Sequence, residues 1–330
     1  MSGIAGRRVL VTGAGGFIGS HLTARLVAAG ADVRAMIRYT SRGDRGALDW
    51  LEDGPGDDLE VVSGDVRDVE SVAAATKGVD VVFHLAAQIA IPYSYLNPRD
   101  FFETNVLGSL NVARAALDND VARVVHTSTS EVYGSAQTVP ITEEHPLETQ
   151  SPYAASKLGA DKLMDSFNRS FGLPSTTLRP FNTFGPHQSA RAVVPTIITQ
   201  ALAGGVVKLG SLHPRRDLTY VEDTAAGFIA AAESDAAIGR TVQLGTGYDV
   251  SIGDVVEMVG AILGRELQVD LDEERVRPEA SEVQRLISSP ALAEELIGWT
   301  PSIGLEQGLE RTLRWIEANL DEYRVGQYTR

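Results

Sequence analysis

Short apolar runs, rich in β-branched residues, alternate along the first half of the chain with segments in which apolar residues recur at helical spacing. The runs predict strands at residues 8–12, 32–37, 59–62, 80–87, 122–127, 175–179 and 242–244. The helical spacing predicts helices at residues 17–29, 68–77, 98–118 and 153–171. This alternation is typical of an α/β fold built on a doubly wound parallel sheet.

A glycine-rich turn joins the first predicted strand to the first predicted helix. Gly13, Gly16 and Gly19 lie in this turn, and Phe17 and Ile18 open the helix. Glycine lets the backbone turn sharply and approach a pyrophosphate, while the helix N-terminus offers N–H groups and a positive dipole end to the phosphates. Because the strand precedes the turn and the helix follows it, the pattern favours a dinucleotide site over an ordinary surface turn.

The pattern changes near residue 180, where the strands become short. Further helices are predicted at residues 191–204, 251–264, 290–297 and 305–319. A chain of 330 residues is also longer than one core usually serves. We therefore expect a dinucleotide-binding (Rossmann) domain of residues 1–178 and 217–247, with a smaller α/β substrate-binding domain of residues 179–216 and 248–330.

The end of the second predicted strand indicates which dinucleotide binds. NAD sites usually carry an acid there, bonded to the adenosine ribose, whereas this chain has Ile37 and Arg38. An arginine followed by the hydroxyls of Thr40 and Ser41 suits the 2′-phosphate of NADP. The alternative is NAD, with Arg38 stacked on the adenine.

Asp65 and Val66 follow the third predicted strand, on the same side of the expected dinucleotide site. The carboxylate of Asp65 could accept a hydrogen bond from the adenine amino group. An ordinary aspartate in a turn is an equally good interpretation.

Composition and charge narrow the function classes. Lys and Arg number 29 against 44 Asp and Glu, a formal net charge of −15, so the chain repels nucleic acid and anionic membranes. The absence of cysteine excludes disulfides and thiolate sites, and the six histidines show no metal-ligand spacing. No apolar run matches a membrane span, and a first strand at residue 8 leaves no room for a signal peptide. We expect a cytoplasmic enzyme without a metal.

Tyr153 and Lys157 lie four residues apart, on one face of a predicted helix. The ammonium group of a lysine favours phenolate on a neighbouring tyrosine, which gives a base that can remove a hydroxyl proton. Upstream, a predicted strand ends in the hydroxyl-rich segment Thr129-Ser130-Glu131. This is the edge of an open α/β sheet at which ligands bind.

Taken in order, these motifs resemble the extended short-chain dehydrogenase/reductase family, which includes the nucleotide-sugar epimerases and dehydratases. The resemblance extends over nearly the whole chain. It rests on the glycine turn, the run Phe83-His84-Leu85-Ala86-Ala87, the Thr-Ser-Glu segment, Tyr153 with Lys157, the run Arg179-Pro180-Phe181-Asn182, and Arg216-Asp217. It implies that Leu85, Ala86 and Ala87 contact the cofactor, as do Tyr153 and Lys157, and that Thr129, Tyr153 and Lys157 carry a hydride step.

The residues after Thr129 distinguish the chemistries within the family. Its dTDP-glucose dehydratases have Asp-Glu there and its 4-epimerases lack the acid, whereas this chain has Ser130-Glu131. That pair looks like GDP-mannose 4,6-dehydratases and like UDP-glucuronate decarboxylases. The closest overall likeness is to nucleotide-hexosamine 4,6-dehydratases of the legionaminic acid type, through residues 90–95, 188–195 and 277–283.

This likeness implies a 4,6-dehydratase that forms a 4-keto-6-deoxy sugar. Tyr153 would take the 4-hydroxyl proton as hydride leaves C4 for the nicotinamide. Glu131 would abstract the C5 proton, water would leave from C6 with help from Ser130 or Glu131, and hydride would return to C6. A UDP-glucuronate decarboxylase, a 4-epimerase and a cofactor-sensing protein without catalysis are the alternatives.

The resemblance also implies how substrate and subunits bind. Candidates for the diphosphate and sugar of a nucleotide-sugar substrate are Asn182, Arg191, Arg216 and Arg277, although Arg191 is as readily a surface ion pair. The long helices at 98–118 and 153–171 are expected to pair into a four-helix bundle in a homodimer. Their candidate apolar contacts are Phe101, Phe102, Leu110, Leu163, Met164 and Phe167.

Overall fold

A parallel sheet lies at the centre of the molecule, in a computed structural model that describes residues 3–51, 59–276 and 278–326. The strands of the described part are β1 Arg8–Thr12, β2 Asp32–Ile37, β3 Leu59–Ser63, β4 Val81–His84, β5 Arg123–Thr127, β6 Ser175–Pro180, β7 Asn182–Phe184, β8 Val207–Leu209, β9 Arg215–Arg216, β10 Leu218–Tyr220, β11 Thr241–Leu244, β12 Val250–Ser251, β13 Val269–Leu271 and β14 Arg285–Leu286. Within that part, the central sheet has seven strands in the order β3-β2-β1-β4-β5-β6-β11, and all neighbours are parallel. This confirms the predicted doubly wound fold.

Helices cover both faces of this sheet. Those of the described part are α1 Phe17–Ala28, α2 Val69–Thr76, α3 Ile91–Leu96, α4 Pro98–Phe101, α5 Gly108–Asp118, α6 Pro152–Phe171, α7 Val193–Leu202, α8 Val221–Glu233, α9 Ile252–Ile262, α10 Ala291–Ile297 and α11 Leu305–Ala318. Val9 and Val11 of β1 pack in one core with α1 and α8, whereas Leu10 packs in another with α2, α5 and α6. Both faces of β1 are therefore apolar, as expected of a strand at the centre of a parallel sheet between two helical layers.

A further apolar core lies outside the central sheet. Helices α7, α9 and α11 enclose it together with β7, β8 and β10. Helix α10 does not belong to this core, since Ala293 and Ile297 pack with the residues of α1 and α8 instead. The division of the chain into residues 1–178 with 217–247 and 179–216 with 248–330 stays a prediction.

Three differences between the structure and the predicted elements have local causes. The run at 80–87 is a strand only over Val81–His84, because residues 85–90 leave the sheet. The predicted helix at 98–118 is interrupted between α4 and α5 by a π-helical turn, Phe102–Leu107. Helix α8 is absent from the prediction because it lacks a start signal: Tyr220 stands at its N-cap and no side chain caps it.

Candidate active site

The carboxyl ends of the parallel strands form one wall of a cleft with a volume of about 1400 Å³. Most residues of the predicted site line it, namely Gly13, Gly16, Phe17, Ile18, Gly19, Arg38, Asp65, Val66, Leu85, Ala86, Ala87, Thr129, Glu131, Tyr153, Lys157, Asn182, Arg191 and Arg216. Ser130 does not line the cleft and is only 3% exposed. Arg277 lies outside the described residues. The structure thus brings the predicted catalytic, cofactor and substrate residues together, apart from these two.

The glycine turn between β1 and α1 leaves an open cradle, which any side chain larger than that of glycine at Gly13 or Gly19 would obstruct. Gly13 has a φ of +72°, and a Cβ placed on it would lie 2.7 Å from the backbone nitrogen of Ala86. A Cβ on Gly19 would overlap the carbonyl oxygen of Gly13. No side chain caps α1, whose N-cap is Gly16, so the N–H groups of its first turn are open to a ligand. These features fit the pyrophosphate of a nicotinamide dinucleotide.

Arg38 and Asp65 lie on the cleft wall at the ends of β2 and β3, and Arg38 is exposed. Arg67 holds Asp65: its Nε and Nη2 donate to the two carboxylate oxygens at 3.0 and 2.7 Å. The hydrogen bond from Arg67, with the charge of Arg38 nearby, keeps the pKa of Asp65 below its usual range. The carboxylate is therefore ionised and fixed in position on this wall.

Tyr153 and Lys157 lie one turn apart at the start of α6, where Ser151 Oγ accepts a hydrogen bond from the N–H of Ala154 at 3.1 Å. Burial raises the pKa of the Tyr153 phenol, a hydrogen bond with Thr129 lowers it in part, and the charge of Glu131 adds to the rise. Burial lowers the pKa of Lys157 to about 8. The phenol therefore holds its proton in this state.

The turn after β5 presents two predicted catalytic side chains to the cleft. Thr129 Oγ1 accepts a hydrogen bond from the N–H of Glu131 at 3.2 Å, which begins a single helical turn over Ser130–Tyr133. Thr129 and Glu131 line the cleft together, whereas Ser130, between them, is buried. The carboxylate of Glu131 is thus available to a ligand and the hydroxyl of Ser130 is not.

Two buried polar side chains near this site were not predicted. Asn105, in the π-helical turn, accepts a hydrogen bond from Gln88 N at 2.8 Å and donates to Ser156 Oγ at 2.8 Å, which ties the loop after β4 to α6. Asp161 lies one turn beyond Lys157 on α6 and accepts a hydrogen bond from Ser128 Oγ at 2.7 Å. The four-residue spacing from Lys157 was the available signal for Asp161, whereas the sequence around Asn105 contains none.

The part of the cleft formed by β7, β9 and the loops beyond them holds the predicted substrate residues. Asn182 Oδ1 is buried with no hydrogen-bond partner among the described residues, an unsatisfied acceptor at the cleft wall. Arg216 is 7% exposed and its Nη2 donates to Glu282 at 3.1 Å, whereas Arg191 is exposed. Arg216 is therefore held in one position, and Arg191 is a surface side chain.

Two segments that carry the resemblance to hexosamine dehydratases meet beside the cleft. The hydroxyl of Tyr95, at the end of residues 90–95, lies 2.6 Å from Ser281 Oγ, which belongs to residues 277–283. Ser281 Oγ also donates to the carbonyl oxygen of Gln150, just before α6, at 2.7 Å. These contacts join α3 to the segment that follows β13.

The buried histidine of β4 is a core residue. His84 is 2% exposed, with its Nδ1 2.8 Å from Thr12 Oγ1 and its Nε2 3.0 Å from Ser109 Oγ. Across the described residues, no group of three or more His, Asp or Glu side chains is arranged to hold a metal ion. In the same part of the chain, no helix is both long enough and apolar enough to cross a membrane.

The chain matches one protein family over most of its length. The family model described as GDP-mannose 4,6 dehydratase matches residues 10–312, so the chain belongs to this family of the extended short-chain dehydrogenase/reductase type. It is 34% identical over 306 residues to the low-salt glycan biosynthesis protein Agl12 of Haloferax volcanii, covering 92% of this chain and 96% of that protein. It is 31% identical over 315 residues to UDP-glucose 4-epimerase of Mycolicibacterium smegmatis, covering 93% and 98%.

A solved structure shows the same fold. DesIV, a dTDP-glucose 4,6-dehydratase of Streptomyces venezuelae with NAD and TYD bound, superposes with a TM-score of 0.86 at 32% identity, covering 96% of this chain and 99% of that one. The protein is therefore a nicotinamide-dependent nucleotide-sugar enzyme of the dehydratase/epimerase class.

Proposed function

We propose that the protein is a nucleotide-sugar 4,6-dehydratase, which forms a 4-keto-6-deoxy sugar. The observation that carries this proposal is the position of Glu131, which lines the same cleft as Tyr153 and whose charge acts on the Tyr153 phenol. A dehydratase must remove a proton from C5, and a carboxylate beside the oxidising tyrosine is a base for that step. A 4-epimerase has no use for this base.

Tyr153 and Glu131 carry out different proton transfers in the proposed reaction. Tyr153 takes the proton of the sugar 4-hydroxyl, Lys157 favours the phenolate that this requires, and Thr129 hydrogen-bonds the same phenol. When bound, the nicotinamide would supply the acceptor for hydride from C4 and later its donor to C6. Glu131 removes the C5 proton once the C4 ketone has made it acidic, and then protonates the departing C6 hydroxyl as water. When C6 is reduced, C5 takes up one proton, which balances the proton that Tyr153 removed from the 4-hydroxyl. Because Ser130 is buried away from the cleft, we assign both proton steps at C5 and C6 to Glu131.

We propose NADP as the cofactor, with NAD as the alternative. The glycine turn and the first turn of α1 would hold the pyrophosphate. Arg38, exposed on the cleft wall at the position where NAD sites usually have an acid, would pair with the 2′-phosphate. Asp65, Val66 and the run Leu85-Ala86-Ala87 line the cleft around this site and would contact the adenine and the rest of the dinucleotide.

For the substrate, we propose that Asn182 and Arg216 contact the diphosphate or sugar, because both line the cleft, Asn182 with an unsatisfied acceptor and Arg216 held in place by Glu282. Arg277 is proposed for the same role, and Arg191 is a further candidate that is as readily a surface ion pair. A negatively charged diphosphate suits a local arginine cluster in a chain whose net charge is −15.

A panel of UDP-, GDP- and dTDP-hexoses, hexosamines and UDP-glucuronate, analysed by mass spectrometry, tests the proposal. A dehydratase yields a product lighter by one water. The second candidate is a UDP-glucuronate decarboxylase, a name carried by a relative 30% identical to this chain, and it would release CO2. A product of unchanged mass with an inverted C4 would contradict both and support a 4-epimerase.

A further inference from the structure

Lys157 is buried among charged and titratable groups from four elements. Tyr153 and Asp161 flank it on α6, and Glu131 lies in the turn after β5. His84 is the last residue of β4, and His126 lies within β5. Arg179 of β6 pairs with Asp161 at 3.0 Å. In this set, Asp161 is the carboxylate that acts on Lys157, and its charge opposes the effect of burial on the lysine. The same charge makes a smaller contribution to the raised pKa of Tyr153.

The carboxylate of Asp161 is held by four hydrogen bonds from three side chains. Its Oδ1 accepts from His126 Nε2 at 3.2 Å, and its Oδ2 accepts from Ser128 Oγ at 2.7 Å. Arg179 Nη2 and Nε donate to the same Oδ2 at 3.0 and 3.3 Å. Burial pushes the pKa of Asp161 up, but the hydrogen bond from His126 and the charge of Arg179 outweigh it and keep the pKa below its usual range.

His84 and His126 carry no positive charge that would offset the negative charge of Asp161. Burial lowers the pKa of His126 and of His84, so both rings are neutral at physiological pH. With its Nε2 donating to Asp161, His126 leaves its Nδ1 buried without a partner among the described residues, which also disfavours a second proton. Asp161 is therefore a fixed anion one helical turn from Lys157.

We infer that Asp161 is a positioning residue of the active site: held by His126, Ser128 and Arg179, it keeps the buried ammonium group of Lys157 charged beside Tyr153. An exposed salt bridge could not do this, because solvent would screen it. Asp161 is 5% exposed, so its field reaches Lys157 with little screening. The inference rests on the proposed role of Lys157, which dehydratase, epimerase and decarboxylase chemistries share.

The lysine content of the chain permits a direct test. The sequence contains lysine only at positions 77, 157, 162 and 208, so selective isotope labelling at the side-chain Cε gives four resonances for an NMR pH titration. Lys157→Gln identifies the signal of interest. In the native protein, the titration midpoint of Lys157 should lie at about pH 8.

Asp161→Asn keeps the shape and removes the charge, so the Lys157 midpoint should fall by about one unit, the lower end of the usual effect of a nearby opposite charge. Asp161→Glu restores the charge and should return it towards the native value. The matched control is Asp165→Asn, one turn further along α6, where the carboxylate pairs with Arg169 at 2.8 Å and is partly exposed. This control should leave the midpoint unchanged.

The single variant leaves Arg179 buried without its carboxylate and could fail to fold. The double variant Asp161→Asn/Arg179→Gln is therefore compared with Arg179→Gln alone, so that the two proteins differ only in the charge of Asp161. The midpoint of Lys157 should be lower in the double variant, because the charge of Asp161 opposes the effect of burial on the lysine. The inference is overturned if the midpoint of the folded single variant lies within about 0.2 units of the native value, or that of the double variant within about 0.2 units of the value for Arg179→Gln. The titration needs no substrate, so a shift would stand even if the protein proved to be an epimerase, and an absent shift would leave the dehydratase proposal intact.

Discussion

At the scale of single residues, the two halves of the proposed reaction depend on different side chains. Tyr153 and Lys157 are needed to oxidise C4, whereas Glu131 is needed only after the ketone has formed. Glu131→Gln keeps the size and hydrogen bonding but cannot accept a proton, so product formation should fall by about 10²–10⁴-fold. The variant should still reduce the cofactor slowly, seen as a rise in absorbance of reduced nicotinamide, without exchange of the C5 hydrogen in deuterated solvent.

Tyr153→Phe is the matched comparison for this experiment, since it should show neither reduced cofactor nor product. Turnover of Glu131→Gln at a rate near that of the native protein would remove the central residue of the dehydratase proposal. The 4-epimerase interpretation would then be the better one.

The cofactor preference depends on Arg38. Arg38→Asp places an acid at the end of β2, where it can accept hydrogen bonds from a ribose but repels a 2′-phosphate. Affinity for NADP should fall by about tenfold or more and NAD should become the preferred cofactor, measured by calorimetry with each dinucleotide. Arg42→Asp makes the same charge change nearby at a residue that does not line the cleft, and should alter the preference little. If the native protein releases only NAD when denatured, the argument from Arg38 is wrong.

The lowered pKa of Lys157 predicts opposite pH effects on activity and on stability. If charged Lys157 favours the Tyr153 phenolate, C4 oxidation should decline as pH rises through about 8. The unfolded chain keeps the lysine proton up to about pH 10.4. Between these two values the unfolded state therefore binds more protons, and this group makes the free energy of unfolding rise with pH. A pH–rate profile tests the predicted fall in the rate of C4 oxidation, and urea unfolding at two pH values tests the predicted rise in the free energy of unfolding. A rate that increases steadily above pH 8 contradicts the prediction for activity.

The sequence predicted most of the residues of this site because they follow strand ends, and strand ends of a parallel sheet meet at one edge. The role of Ser130 stays a prediction: the residue has Thr129 and Glu131 as neighbours in sequence, but the helical turn after Thr129 buries its side chain. Asp161 was missed because its partners His126, Ser128 and Arg179 come from two other strand segments. Spacing on one helix could not reveal them.

At the scale of elements, the glycine turn before α1 makes a specific prediction. Gly19→Ala would place a Cβ on the carbonyl oxygen of Gly13, so the turn must shift and the first-turn N–H groups move with it. Dinucleotide affinity should fall by about tenfold or more, since overpacking typically costs about 1–3 kcal/mol. Gly304→Ala is the matched control at another helix start, where an added Cβ meets no atom within 4 Å. Equal affinity of Gly19→Ala and the native protein would show that the cradle does not hold the pyrophosphate.

Helices and strands with strong periodicity were predicted close to their observed bounds, and the exceptions have local causes. Residues 98–118 carry an uninterrupted helical pattern, but the contacts of Asn105 with Gln88 and Ser156 lie within the π-helical turn. Helix α8 follows β10 directly at Tyr220, with no loop and no polar cap to mark its start. The π-helical turn adjoins the cleft through Thr104, and tertiary contacts compete there with local preference.

At the scale of the whole molecule, we propose a homodimer formed by α4, α5 and α6. Phe102 is 44% exposed and Leu107 is 50% exposed, and partly buried Leu110, Leu163 and Phe167 lie on the same two predicted helices. Two of the apolar side chains expected to form this contact cannot do so, since Phe101 and Met164 are fully buried in the cores of their own subunit. The apolar patch must therefore be built from the remaining residues and Leu107.

Leu107→Glu tests this arrangement, because a buried, unpaired carboxylate at the centre of a paired helical face would disfavour association. The native protein should scatter light as a dimer at micromolar concentration, and the variant should shift to a monomer while its unfolding transition is retained. Tyr248→Glu introduces the same charge at a side chain that is 79% exposed and lies outside these helices, so it should remain dimeric. A native protein that is monomeric at micromolar concentration would contradict the dimer. A dimeric Leu107→Glu variant would place the interface elsewhere on the surface.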